Sequence, residues 1–248
     1  MPPVVKHLLI INVLMWVATM VFQNMNIDLT NVLGLHFWQA ADFKIWQFVT
    51  YMFMHDSSSV SSGFSHLFFN MFSLWMFGMM LERAMGSKRF LTYYLVCGLG
   101  AALVQEFTWQ LTWQSTIGQM LQDANGQRVI LDAQQVGRAI ASGQLPPAIV
   151  NQCLNAMVTV GASGAVFGIL LAFAWFFPNV PLYLFFIPVP IKAKWMVLIY
   201  GAIELLFGVQ GIMGNVAHFA HLGGLLFGLL LLLYWRSRRI LIRKNDFY

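Results

Sequence analysis

The chain has 248 residues, of which 59% are hydrophobic and only 9% charged. A soluble domain carries about 25% charged residues, so composition excludes a solvated globular protein and points to a surface made for lipid. The formal net charge of +5 does not mark a nucleic-acid binder, because the basic residues gather at the ends of apolar runs.

A membrane-crossing helix needs about 20 mostly apolar residues, and six runs meet or approach that length: 7–23, 64–84, 88–107, 156–177, 194–212 and 215–235. The first, "HLLIINVLMWVATMVF" behind Lys6, has the outline of a signal peptide. "QNMNIDL" follows it instead of a small-x-small cleavage site, so it reads as an uncleaved span. The connection to the second span is too apolar and aromatic for a solvated loop. Trp38 and Trp46 suit the membrane interface, and a compact, half-immersed loop with a Ser-rich tip at 57–62 is expected. Residues 108–150 form an outer-side insertion with a short helix near 132–142, closed by Pro146 and Pro147. Substrate selection and a plain solvated linker are both open for it, and the linker is favoured. Prolines 178, 181, 188 and 190 exclude a continuous helix between spans 4 and 5, where a hairpin or re-entrant piece fits. Cys97 and Cys153 have neither metal-ligand spacing nor a CxxC motif, so no disulfide, metal or cofactor is expected.

Six spans send eleven of the 14 basic residues to one side, including Arg83, Lys88, Arg89, Lys192, Lys194 and the tail 236–248. Lys44, Arg128 and Arg138 fall on the other. The positive-inside rule then makes both termini cytoplasmic. The expectation is a single multi-pass membrane domain over residues 1–248, in a bacterial inner membrane.

Spans 2, 4 and 6 all run inward, and this turns scattered polar residues into a site. Counting from Met157 puts Ser163 roughly 9 Å below the outer face, and counting from Asn215 puts His221 at a similar depth. "SHLFFN" places His66 and Asn70, one turn apart, in the outermost third of span 2. Polar intramembrane residues are costly and face a bundle interior or a wet cavity, so their coincidence in depth is a signal that composition does not supply. Gly164 and Gly168 on span 4, and Gly224 and Gly228 on span 6, form GxxxG faces that let helix backbones approach closely. His221 shares the face of Gly224 and Gly228. His218, one turn outward, is the other candidate base and otherwise a supporting or gating group. His55 braces the first loop. Glu204, near the middle of span 5, is a neutral or hydrogen-bonded acid or else a proton relay. Glu82 and Arg83 tie down the turn after span 2.

Three motifs in this order resemble the rhomboid intramembrane serine proteases over almost the whole chain. Their GxSG stands as Gly161-Ala162-Ser163-Gly164, their HxxGxxxG as His221, Gly224 and Gly228, and their HxxxN pair as His66 and Asn70. The resemblance implies an all-α bundle of six transmembrane helices, with the serine on a short, sunken fourth span and a membrane-embedded first loop. It implies a serine endopeptidase acting by a Ser163–His221 dyad. The oxyanion would be met by the Ser163 N–H and the Asn70 amide, with His66 alongside, and Gly161, Gly164, Gly168, Gly224, Gly228 and Phe167 would support the packing. Substrates would be transmembrane proteins with helix-weak segments near the outer face and a small residue before the cut. No carboxylate matches a third triad position, since Glu204 and Glu106 fall on the wrong spans or at the wrong level. Two positions depart from the pattern: Phe167 stands where some members have tyrosine, and Trp46-Gln47 where some have Trp-Arg. A transporter, or a non-catalytic binder of transmembrane helices, are the competing readings.

Overall fold

The computed structural model describes residues 1–57, 59–121, 129–183, 189–210 and 217–240. Part of the Ser-rich tip, Arg128, Pro188, the expected start of span 6 at Asn215, and Arg243 and Lys244 of the basic tail lie outside the described residues.

In lipid every backbone polar group must be satisfied internally, which long apolar runs achieve by closing into helices. The chain opens with α1 (Pro3–Gln23), followed by a short helix α2 (Leu29–Leu33). Strand β1 (Leu35–His36), helix α3 (Gln47–Thr50) and a 3-10 turn at Tyr51–Phe53 complete the first loop. Two long helices come next, α4 (Val60–Met85) and α5 (Ser87–Met120), joined at Gly86, whose φ of 83° makes the sharp reversal that a side chain would strain. Beyond α5 come α6 (Ala133–Ala141) and α7 (Pro147–Asn155), then β2 (Val158–Thr159). The chain re-enters as α8 (Ser163–Phe176), makes a small hairpin of β3 (Pro181–Leu182) and β4 (Ile191–Lys192), and ends with α9 (Ala193–Gln210) and α10 (His218–Ser237).

Among the described residues α1, α4, α5, α9 and α10 are long and apolar enough to cross a membrane, and α8 is apolar but shorter. The protein is an all-α membrane bundle, and the count of six holds with α8 as a short member. Span 4 differs from expectation. It was drawn from residue 156, but the helix starts at Ser163 and has 14 residues, roughly 21 Å against a hydrocarbon core of about 30 Å. Residues 156–162 are instead extended and pair with the first loop, Leu35 opposite Thr159 and His36 opposite Val158. Span 3 also differs: its helix continues to Met120 instead of stopping near 107.

That extension corrects the reading of residues 108–150 as solvated linker. The outer end of α5 supplies Ile117 to a second hydrophobic cluster with Phe37, Val136, Cys153, Leu154 and Met157. Helix α6 is capped at both levels of a capping box by Asp132 and Gln135. Apolar residues sparse enough to look like linker are spaced to meet one another only once the two helices fold back.

One side chain makes four of the bonds that hold the first loop. Gln47 is buried; its Oε1 accepts from the N–H groups of His36 and Lys44, and its Nε2 donates to the carbonyls of Val32 and Asp42. An uncharged amide thus makes the bracing contacts at the position where some members of the resembled family have arginine. At the opposite end, Glu82 accepts the N–H groups of Val4 and Val5 at 3.0 and 2.8 Å and the Ser87 hydroxyl at 2.7 Å. It caps α1 from another helix while closing the α4–α5 turn.

The main core joins α1, α4, α5, α8, α10 and the first turns of α9. Small residues set its closest approaches. A Cβ on Gly224 would stand 1.8 Å from the Gly164 carbonyl oxygen, so α8 and α10 touch backbone to backbone. Gly168 packs on Cys97 of α5 and on the Gly224 carbonyl. Gly228 was expected to face α8, but it meets Tyr93 and Cys97 of α5. Helix α5 therefore forms the floor on which α8 and α10 are laid side by side. Helix α9, by contrast, leaves Leu198, Leu205 and Val209 exposed, a lipid-facing pattern.

Candidate active site

Two helix starts meet at the end of the bundle that carries the first loop. Ser163 is the first residue of α8, and His221 lies in the first turn of α10. The Gly164–Gly224 contact holds these starts together, and His221 Nε2 lies 2.8 Å from Ser163 Oγ. The first N–H groups of a helix have no partner within it, so the serine hydroxyl sits beside unpaired backbone donors at the positive end of a helix dipole.

The loop before Ser163 is shaped by Gly161, whose φ of 128° is closed to ordinary side chains. Its N–H donates to the Tyr51 carbonyl at 2.9 Å, which ties the approach to the first loop. Tyr51 is anchored in turn by its hydroxyl, which donates to the Gly98 carbonyl at 2.7 Å. The side-chain position that Gly161 leaves empty is flanked by His66 Nε2 at 2.9 Å and Ser163 Oγ at 3.6 Å. His66 and the serine hydroxyl therefore border the same small space.

His66 Nδ1 accepts from the Asp56 N–H at 3.5 Å, a long contact that leaves the ring proton on Nε2, facing Gly161. Asn70 follows one turn later, buried, with Nδ2 donating to the His66 carbonyl at 3.1 Å. An amide NH₂ has two hydrogens, so this bond occupies one and leaves the other. His55, fully buried before α4, meets the His66 ring edge-on with centroids 5.1 Å apart. Burial, and then the neighbouring His66, push the His55 imidazole down to about 3, so it stays neutral at physiological pH. It packs against His66 of α4 as an uncharged ring.

Phe167 stacks on His221 with centroids 4.3 Å apart and planes within 8°, so the ring plane is set without a tyrosine hydroxyl. The other imidazole nitrogen is where the sequence reading missed a partner. Glu204 Oε2 of α9 lies 3.0 Å from His221 Nδ1 and 2.6 Å from His218 Nδ1. The expectation that Glu204 sits at the wrong level is corrected: α9 brings it to the two histidines at the start of α10. The His218 contact is a hydrogen bond; the His221 contact is within ion-pair reach but is not aligned as one. Glu106, the other acid considered, accepts the Trp38 N–H at 2.8 Å and serves the first loop.

Glu204, His218 and His221 could also be read as metal ligands, their donor atoms lying within 4.8 Å of one another. Zinc–ligand bonds of about 2.0–2.1 Å spread tetrahedral ligands more than 3 Å apart. The 2.6 Å separation of Glu204 and His218 is that of a direct hydrogen bond.

Ser163, His221, His66, Gly161, Gly164, Gly224 and Phe167 are thus brought to one site, with Asn70 on the wall beside His66. Gly168 and Gly228 both lie against Cys97 of α5. Glu204 is the functional candidate that sequence reasoning set aside. Its signal was a lone intramembrane acid next to a His-x-x-His pair on the adjoining span.

A family model described as Rhomboid domain matches residues 42–238. The chain is also 27% identical over 212 residues to Rhomboid protein 1, mitochondrial, of Saccharomyces cerevisiae, an alignment taking in 81% of this chain and 49% of the relative. The chain spans about half the length of that curated relative.

Proposed function

Because the chain belongs to the rhomboid family, we propose that it is an intramembrane serine endopeptidase with Ser163 as nucleophile and His221 as general base. The observation that carries this reading is the 2.8 Å contact between His221 Nε2 and Ser163 Oγ, made by two helix starts that share no sequence neighbourhood. A hydroxyl and a bare imidazole nitrogen at hydrogen-bond distance are the pair that acyl transfer needs.

His221 Nε2 takes the Ser163 proton as Oγ attacks the scissile carbonyl. The developing oxyanion enters the space beside Gly161, where the Ser163 N–H, the free hydrogen of Asn70 Nδ2 and the His66 Nε2–H can meet it. Collapse breaks the C–N bond, and the proton on Nε2 passes to the leaving amine. Water then attacks the acyl-enzyme, with His221 again the base, and restores the serine. The substrates are transmembrane proteins whose helices unwind locally near the outer face, since a helical amide is shielded by its own hydrogen bonds. We place the chain in a membrane with both termini on the cytoplasmic side, as the basic residues suggest.

Purified protein in lipid vesicles with a single-span substrate tests the assignment. Ser163→Ala and His221→Ala should each lower kcat by a factor on the order of 10⁶, to background. Cleavage by the Ser163→Ala protein at the wild-type rate would remove the assignment.

A further inference from the structure

We propose that Glu204 is a positioning residue for His221, so that α8, α10 and α9 together hold a Ser163–His221–Glu204 array. The proposal rests on the Ser163–His221 reading above and extends it to a third helix.

The base can work only in one tautomer. Nε2 must be bare to take the serine proton, which puts the single ring proton on Nδ1. Nδ1 needs an acceptor there, and Glu204 Oε2 at 3.0 Å stands nearest. An ionised carboxylate can only accept, so it selects the Nδ1–H form. It also stabilises the imidazolium that appears when the serine proton is transferred. Phe167 stacks on the ring with planes within 8° and centroids 4.3 Å apart, which fixes the plane in which Nδ1 and Oε2 meet.

The acid is fixed as well. His218 Nδ1 donates to the same Oε2 at 2.6 Å, the His218 ring meets Phe207 edge-on at 5.9 Å, and both partners are largely buried. Gly208 makes this closeness possible: a Cβ there would lie 3.2 Å from His218 Cβ, so α9 runs tight against the start of α10 at the turn after Glu204. His218 and His221 thus share one oxygen, His218 aligned and His221 near but off-line. Hydrogen bonds at active sites are often loose before substrate binds. A substrate carbonyl that draws the Ser163 proton onto His221 strengthens the pull on Oε2, and the off-line contact closes.

Three measurements decide it. In wild-type protein labelled with ¹⁵N-histidine, the His221 resonances, identified by their loss in His221→Asn, should show Nδ1 protonated and Nε2 bare. The opposite tautomer overturns the proposal. Glu204→Gln keeps the shape and removes the charge, whereas Glu204→Asp keeps the charge and shortens the arm. With the single-span substrate, Glu204→Gln should lose about 10²–10⁴ in kcat with KM nearly unchanged, and Glu204→Asp should retain more activity than Glu204→Gln. A purely structural role predicts the reverse order. Loss of wild-type cleavage on treatment with EDTA would replace the hydrogen-bonded array by a metal site. If wild-type protein fails to cleave any substrate, the protease reading fails, and the tautomer measurement still decides whether Glu204 sets the state of His221.

Discussion

The chemistry proposed at Ser163 depends on residues that hold each other in place more than on any single group. Gly161 adopts a backbone conformation closed to other residues and leaves the space that His66 and Ser163 border. Asn70 donates one amide hydrogen to the His66 carbonyl, and in the proposed mechanism the second meets the oxyanion. Removing one such donor costs about 2.7–4 kcal/mol of transition-state stabilisation. Asn70→Ala should therefore lower kcat by about 10²–10³ while leaving KM and thermal stability close to wild type, as steady-state cleavage and a melting curve would show. A loss as complete as that of Ser163→Ala would mean that Asn70 does more than hold the oxyanion. The serine and its histidine were readable in the sequence because intramembrane polar residues are rare and glycine spacing told which faces touch. Glu204 was misread for a geometric reason. Depth was counted from assumed span ends, and counting puts residue 204 near the middle of a straight 194–212 helix. Both α8 and α10 begin later in the chain than the counted spans, at Ser163 and His218, and residue 204 of α9 meets the start of α10.

Helix pairs set the distances that the residues need. The contact of α8 with α10 is backbone on backbone at Gly164 and Gly224, and it lies beside the Ser163–His221 pair. A methyl group on Gly224 would meet the Gly164 carbonyl oxygen at 1.8 Å and must push the helices apart. Overpacking of this kind costs about 1–3 kcal/mol. Gly224→Ala should lower the melting temperature and depress kcat at least about tenfold, because the proton transfer cannot span a widened gap. Gly228→Ala presses on Tyr93 and Cys97 instead and should destabilise the fold with a smaller effect on kcat in the protein that remains folded. Equal effects of the two substitutions on kcat would show that the α8–α10 seam does not control the site. The GxxxG faces pointed correctly to Gly164, Gly168 and Gly224. They could not show that Gly228 turns to α5, because a straight-helix projection gives a face and not the neighbour that fills it.

The whole molecule is a lipid-solvated bundle with a structured outer cap. Pairing of β1 with β2 and the Gly161–Tyr51 hydrogen bond fasten the first loop to the approach to Ser163. The cluster of Phe37, Ile117, Val136 and Met157 fastens the 108–150 insertion to both. That cap was not legible because its apolar residues are few and come from three distant segments. Orientation follows from charge alone and can be tested with cysteine placed at two exposed serines. In intact cells a membrane-impermeant maleimide should label Ser142→Cys directly and Ser237→Cys only after permeabilisation, and the opposite pattern would invert the topology. The central claim is chemical: the hydroxyl of Ser163 is activated by His221. Covalent trapping reads it directly. A serine-directed fluorophosphonate should add one label per chain, at Ser163 by peptide mass mapping, and labelling should vanish in His221→Ala while that protein keeps the wild-type melting curve. Labelling of His221→Ala at the wild-type rate, or of wild-type protein at a residue other than Ser163, would contradict the account.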